Sequence, residues 1–128
     1  MARQLFIDGH YALSVEEGFK FLINLVKQRS GMTASSGSDA SLMTTAFSEK
    51  TPKLRLSESL RSQSAKDLQQ GYMRMFEGAT IGVRNPRAHI HGHPDDPRNA
   101  LELLAFCNHL VRTTREATRT RQRKASSP

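Results

Sequence analysis

Between residues 11 and 30 the apolar positions repeat with the period of an α-helix. Val15, Phe19, Leu22 and Val26 stand at i, i+4, i+7 and i+11, and Ile23 widens the stripe. Such a stripe must be covered by other elements, and strand patterning is weak throughout the chain. Basic residues near its end and Gly31 after it fit a helix C-terminus. A second stripe, Leu68, Tyr72, Met75, Ala79 and Val83, has the same spacing, with Ser62 or Ser64 as the start. A third joins Leu101, Leu104, Ala105, Asn108 and Val111, flanked by Leu103, Phe106 and Leu110. Asp96 followed by Pro97 is an N-cap with proline at the first helical position, so this helix is predicted over residues 97–118. Its wide apolar face suits a central bundle helix. Residues 1–7 read as a helix end stopped by Asp8-Gly9, and Asp39 or Ser41 could cap a short helix over residues 42–47. Residues 48–62 lack periodicity, with Leu54 and Leu56 able to dock on a core. The expectation is one all-α bundle of about four to five helices over residues 1–118, followed by a basic disordered tail at 119–128.

The single cysteine, Cys107, excludes an intrachain disulfide and sits in an apolar stretch as a buried thiol. A reducing cytoplasm is the natural setting. No secretory h-region follows Met1, and no apolar run approaches the roughly 18–20 residues of a membrane span. The net charge of +7 points to an anionic partner. Arg119, Arg121, Arg123 and Lys124 carry four of those seven charges, so the tail is either a solvated end or an electrostatic arm for nucleic acid. With no Trp and two Tyr, an aromatic base-stacking platform is not apparent. Gly78 and Gly82 share a helix face and would let another backbone come close, in this chain or in a second subunit.

Chemistry concentrates in Arg84-Asn85-Pro86-Arg87-Ala88-His89. Pro86 lacks an N–H and biases Asn85 away from the α region, so the chain is expected to turn just after Arg84. That would set a permanent cation, an amide and an imidazole on one turn, suited to holding and cutting a phosphodiester. The plainer reading is an Arg84 salt bridge and a His89 that caps a helix end. His89, His91 and His93 alternate, and in an extended segment they would form a metal clamp with Asp95 and Asp96 close by. Gly92 and Pro94 instead make the segment a flexible turn. Glu16 and Glu17 sit near the start of the residue 11–30 helix, and Glu17 could orient Arg84 or His89.

Residues 71–89, with the string Ile81-Gly82-Val83-Arg84-Asn85-Pro86-Arg87-Ala88-His89, resemble the Ymh family of bacterial and phage proteins. Residues 96–104, Gly9-His10-Tyr11 and residues 15–20 fit the same family, so the resemblance runs to about residue 118. Family members often carry sequence upstream, which implies a missing upstream segment here. The family is grouped with the HEPN superfamily, whose motif is Arg, then Asn, Asp or His, then three residues and His. The resemblance therefore implies a HEPN-like helical bundle. It further implies a metal-independent endoribonuclease site formed where two subunits pair, in a toxin or phage-defence setting and without a cofactor. Arg84 would neutralise the scissile phosphate, Asn85 would orient it or the imidazole, and His89 would move the proton at the attacking 2′-hydroxyl. Glu17 is the candidate for the polar residue that superfamily members often have facing the motif. Arg87, Arg119, Arg121, Arg123 and Lys124 are the candidate RNA contacts. Partners implied are RNA, a second copy of the chain, and an antitoxin or upstream domain. Many superfamily members are non-catalytic modules that bind nucleic acid or protein, and that reading stands beside the nuclease.

Overall fold

A computed structural model describes residues 1–32, 37–90, 92 and 94–120. The molecule is all-α, as expected, with six helices among the described residues and one small ribbon. The helices are α1 (Ala2–Ile7), α2 (Tyr11–Ser30), α3 (Asp39–Ala46), α4 (Gln63–Gly78), α5 (Asn85–His89) and α6 (Pro97–Glu116). A π-helical segment, Ala79–Arg84, joins α4 to α5. Strands β1 (Leu54–Arg55) and β2 (Thr118–Arg119) pair antiparallel, Leu54 opposite Arg119. This two-residue ribbon was not expected. It holds the start of the basic C-terminal run, Arg119, against the middle of the chain.

The central element is α2, not α6. It touches α1, α3, α5, α6 and the π-helical segment. The whole predicted stripe, Val15 to Val26, is buried. Gly18 lets α6 approach: an added Cβ would lie 3.1 Å from Leu104 Cδ2 and 3.6 Å from Cys107 Sγ. The α2 helix ends at Gly31, whose φ of 72° is left-handed, as a C-terminal glycine should be. Arg29 reaches from this end to α6, donating to the carbonyls of Arg115 at 3.0 Å and Ala117 at 2.8 Å. It thereby satisfies carbonyls that the end of α6 leaves without a helical partner. Leu101, near the start of α6, remains exposed while Ala100 beside it is fully buried, so the wide apolar face is only partly used over the first turns.

Three details differ from expectation, each for a local reason. The N-cap of α3 is Ser38, whose hydroxyl accepts from the Ser41 amide at 3.1 Å. The last helix keeps its Asp96 cap, with Asn99 N donating to Oδ1 at 2.7 Å, but stops at Glu116 because Ala117 turns extended. In α4 the core stripe is Ala65, Gln69, Met73 and Phe76, and Leu68 is left exposed. Gln69 displaces it because its amide is a hydrogen-bonding hub. The Nε2 group donates to the carbonyls of Phe47 at 3.1 Å and Leu54 at 3.0 Å, and Oε1 accepts from Leu56 N at 3.0 Å. Outside the short β1 pairing, segment 47–56 is irregular, and this one buried side chain takes up the carbonyls of Phe47 and Leu54 and the amide of Leu56. Phe47 and Phe76 stack beside it with centroids 4.0 Å apart. On the outer edge Tyr72 Oη meets His109 Nε2 at 2.5 Å, and Arg112 contacts His109 Nδ1 at 3.2 Å, tying α4 to α6.

Gln69→Leu keeps the volume but orphans two buried carbonyls and an amide. It should cost about 2–4 kcal/mol, read by chemical denaturation. Burial pushes the Cys107 thiol from 9.0 up to about 12. The folded state then holds this proton when the unfolded chain has released it, so stability falls as pH rises from about 9 toward 12. The Cys107→Ser variant should lose less stability than the wild-type chain between roughly pH 9 and 11, by up to about 1.4 kcal/mol per pH unit.

Candidate functional site

The backbone does not turn after Arg84. Asn85 is helical, with φ −62° and ψ −45°, and the chain stays helical to His89. The π-helical segment makes this workable. Its wider turn lets Asn85 N bond to the Thr80 carbonyl, five residues back. Pro86 then falls in the first turn of α5, where an N–H would have no helical partner. Gly82 and buried Ala79 and Thr80 form the bulge, and Thr80 Oγ1 donates to the Phe76 carbonyl at 3.1 Å. Such one-turn bulges are frequent at functional sites.

Arg84 leaves this segment toward α3. Its side chain is 23% exposed, and Nη1 lies 3.6 Å from Asp39 Oδ2 and 3.3 Å from Asn85 Oδ1. The Nε of Arg84 is buried and has no hydrogen-bond partner among the described residues. The Asp39 contact is long, half-exposed and shared with Lys27 Nζ at 3.6 Å from Oδ1. Pairs of that kind are worth about 0–1 kcal/mol, so an anionic ligand can displace this one. Asn85 is thus brought to Arg84.

Arg87 is differently placed. Its side chain is only 5% exposed. Nε and Nη2 grip the two carboxylate oxygens of Asp95, both at 2.7 Å, and Nη1 donates to the Val83 carbonyl at 2.9 Å. Asn99 Nδ2 adds a bond to Asp95 at 2.8 Å. The guanidinium expected to face RNA instead fastens α5 to the start of α6, because a buried bidentate pair leaves it no free donor edge. Sequence reading missed Asp95 in this role. The available signal was an opposite charge eight residues on, across a Gly/Pro loop.

His89 is exposed at the end of α5. It lines a cleft of about 630 Å³ with His10, Tyr11, Glu16, Ile90 and Pro94. Arg84 is not among the residues lining that cleft. Glu17 lines a separate groove with Phe21, Leu104 and Cys107, since successive helical residues diverge by about 100°. Two carboxylates line the His89 cleft: Glu16, the neighbour of Glu17, and Asp95, which enters with the Arg87 that grips it. Of the basic run, Arg119 lies in β2, exposed, and a Cβ on Gly31 would collide with its guanidinium. Arg121, Arg123 and Lys124 lie outside the described residues, as do His91 and His93 of the alternating histidine set. Among the described residues no group of three or more His, Cys, Asp or Glu side chains is arranged to hold a metal ion. Nor is any helix among them long and apolar enough to cross a membrane.

Residues 1–114 match the Hypoth_Ymh family model, described as "Protein of unknown function (Hypoth_ymh)". No curated protein and no solved structure matches the chain.

Arg87→Ala would leave the Asp95 carboxylate, 0% exposed, without its guanidinium. The expected loss is about 3–5 kcal/mol in urea denaturation, against less than about 1 kcal/mol for Arg84→Ala.

Proposed function

The chain belongs to the Hypoth_Ymh family, and on that premise we propose that it is a HEPN-type, metal-independent endoribonuclease acting as a homodimer. The observation that carries this reading is the Arg84 guanidinium: half-buried, with an unpartnered Nε, a weak hold on Asp39, and Asn85 beside it. The exposed part of the guanidinium, held only weakly by Asp39, is suited to a non-bridging phosphate oxygen and to charge developing on phosphorus. His89 stands one helical turn further on, exposed and able to move protons.

In the proposed reaction the 2′-oxygen of a ribose attacks the adjacent phosphorus and the bond from phosphorus to the 5′-oxygen breaks. The 2′-hydroxyl proton passes to His89, and the departing 5′-oxygen takes a proton from the His89 of a second copy. The products are a 2′,3′-cyclic phosphate and a 5′-hydroxyl. Two observations favour pairing of two copies. Gly78 and Gly82 are exposed, with nothing within 4 Å of a Cβ built at either, and Ile81 between them is 53% exposed. In a single chain, moreover, Arg84 and His89 do not line the same cleft, and a second copy laid along this strip would bring the two sets together. Glu16 shares the His89 cleft with an Asp95 already engaged by Arg87, which makes Glu16 the carboxylate proposed to orient the imidazole. A toxin or phage-defence role in a reducing cytoplasm, with an antitoxin or upstream domain as regulator, fits this chemistry.

The separation of Arg84 from the His89 cleft within one chain also favours a second reading, a module that binds RNA or protein without cutting. Incubating the protein with total RNA in EDTA separates the two. The nuclease reading expects fragments with cyclic-phosphate ends, slowed about 10²–10⁴-fold in His89→Ala and Arg84→Ala variants that remain folded. Intact RNA, or cutting indifferent to both substitutions, overturns it.

A further inference from the structure

A second concavity lies away from the His89 cleft. It is a groove of about 1180 Å³ between the end of α3, residues 48–61 and the exit of β2. Four cations, Lys50, Lys53, Arg55 and Arg61, line it against one carboxylate, Glu58. None of the four forms an ion pair among the described residues. The Nε of Arg55 is buried with no hydrogen-bond partner there. Uncompensated charge concentrated in a concave wall raises the local concentration of anions, and a buried guanidinium N–H without an acceptor is a donor awaiting one.

The rest of the lining narrows the ligand. Hydroxyls, among them Thr45, Thr51 and Ser59, stand between the cations, and no aromatic side chain is present. Hydroxyls and cations together suit phosphate and sugar oxygens, whereas base stacking needs aromatic faces. The volume exceeds the roughly 300–1,000 Å³ of small-molecule pockets, which points to an extended ligand. Arg84 contacts Asp39 at the start of α3, and Thr45 lines the groove at its other end. Six residues of helix set these ends about 9 Å apart along the axis. Past Thr120 on the groove wall, the sequence continues with Arg121, Arg123 and Lys124.

We propose that this groove is an exosite for the phosphate backbone of single-stranded RNA, one that holds the strand at a distance from the Arg84 and His89 chemistry. The proposal rests on the ribonuclease reading for the choice of RNA. Electrostatics built on loop and strand residues gives affinity without base preference, so the exosite would recruit RNA while the Arg84 and His89 site does the cutting.

The test is fluorescence anisotropy of a labelled 16-nucleotide single-stranded RNA with the full chain, in EDTA and at several salt concentrations. The double variant Lys50→Glu/Arg61→Glu alters two exposed side chains and is checked for wild-type thermal stability; Lys50→Gln/Arg61→Gln gives a milder step. Binding at least tenfold weaker in the reversed variant is expected. The slope of log K against log salt should be shallower by about 1.4, at about 0.7 per lost phosphate contact, with the Gln variant between. Unchanged RNA affinity and slope in the folded double variant overturn the exosite, whether or not the protein cuts RNA. Weakened binding in a protein that cuts nothing keeps the exosite and removes the nuclease. Unchanged RNA binding with lost affinity for phosphatidylserine vesicles also overturns it, in favour of a lipid surface.

Discussion

The apolar face of α2 is the constraint on which the rest depends. Five large side chains on that face, Val15, Phe19, Leu22, Ile23 and Val26, are almost wholly removed from water. At about 1.5–3 kcal/mol each, their burial is of the order of the whole net stability of a domain this size. The α1, α3, α5 and α6 helices and the π-helical segment pack on this helix, and α4 is placed through α3 and the π-helical segment. Gly18 sets how closely α6 approaches, and the N-terminal half of α2 provides one wall of the His89 cleft. The segments that carry Arg84 and His89 therefore both pack against this buried helix, a support that helps a reacting group keep its geometry.

Two buried polar arrangements then fix what the apolar core cannot. The Arg87–Asp95 pair determines where α5 lies relative to the start of α6, and so where His89 projects. The Gln69 amide determines where the irregular segment 47–56 lies on α4, and so shapes one wall of the basic groove. In both, the cost of desolvating polar groups is offset by near-complete hydrogen bonding, which makes the geometry specific as well as stable. Arg84 contrasts with both: its guanidinium is only partly satisfied, with Nε unpartnered among the described residues and a long contact to Asp39.

The helices of this protein were legible because each carries its own signal. The α2 stripe, the Gly31 stop and the Asp96-Pro97 start are local facts of chain chemistry. What escaped the sequence depends on distant partners. Nothing near Gln69 announces that its acceptors lie 15 and 22 residues away, so Leu68 looked like the core residue. Pro86 carries a strong local turn signal, yet packing around Ala79 and Thr80 sustains a π-helical turn that absorbs it. The motif residues could be named, but their division of labour could not. Arg84 and Arg87 are three residues apart and chemically identical, and only the position of Asp95 makes one a latch and leaves the other available.

The contact between Tyr72, His109 and Arg112 carries a consequence of its own. Arginine has no acceptor, so the imidazole Nδ1 facing Arg112 must be bare. A neutral ring then keeps its hydrogen on Nε2 and gives it to the Tyr72 oxygen, fixing a single tautomer. The phenolic hydrogen of Tyr72 is thereby excluded from this contact and must point elsewhere. The outer seam between α4 and α6 is thus joined by a hydrogen-bond chain with a direction, running from Arg112 through the imidazole to the Tyr72 oxygen.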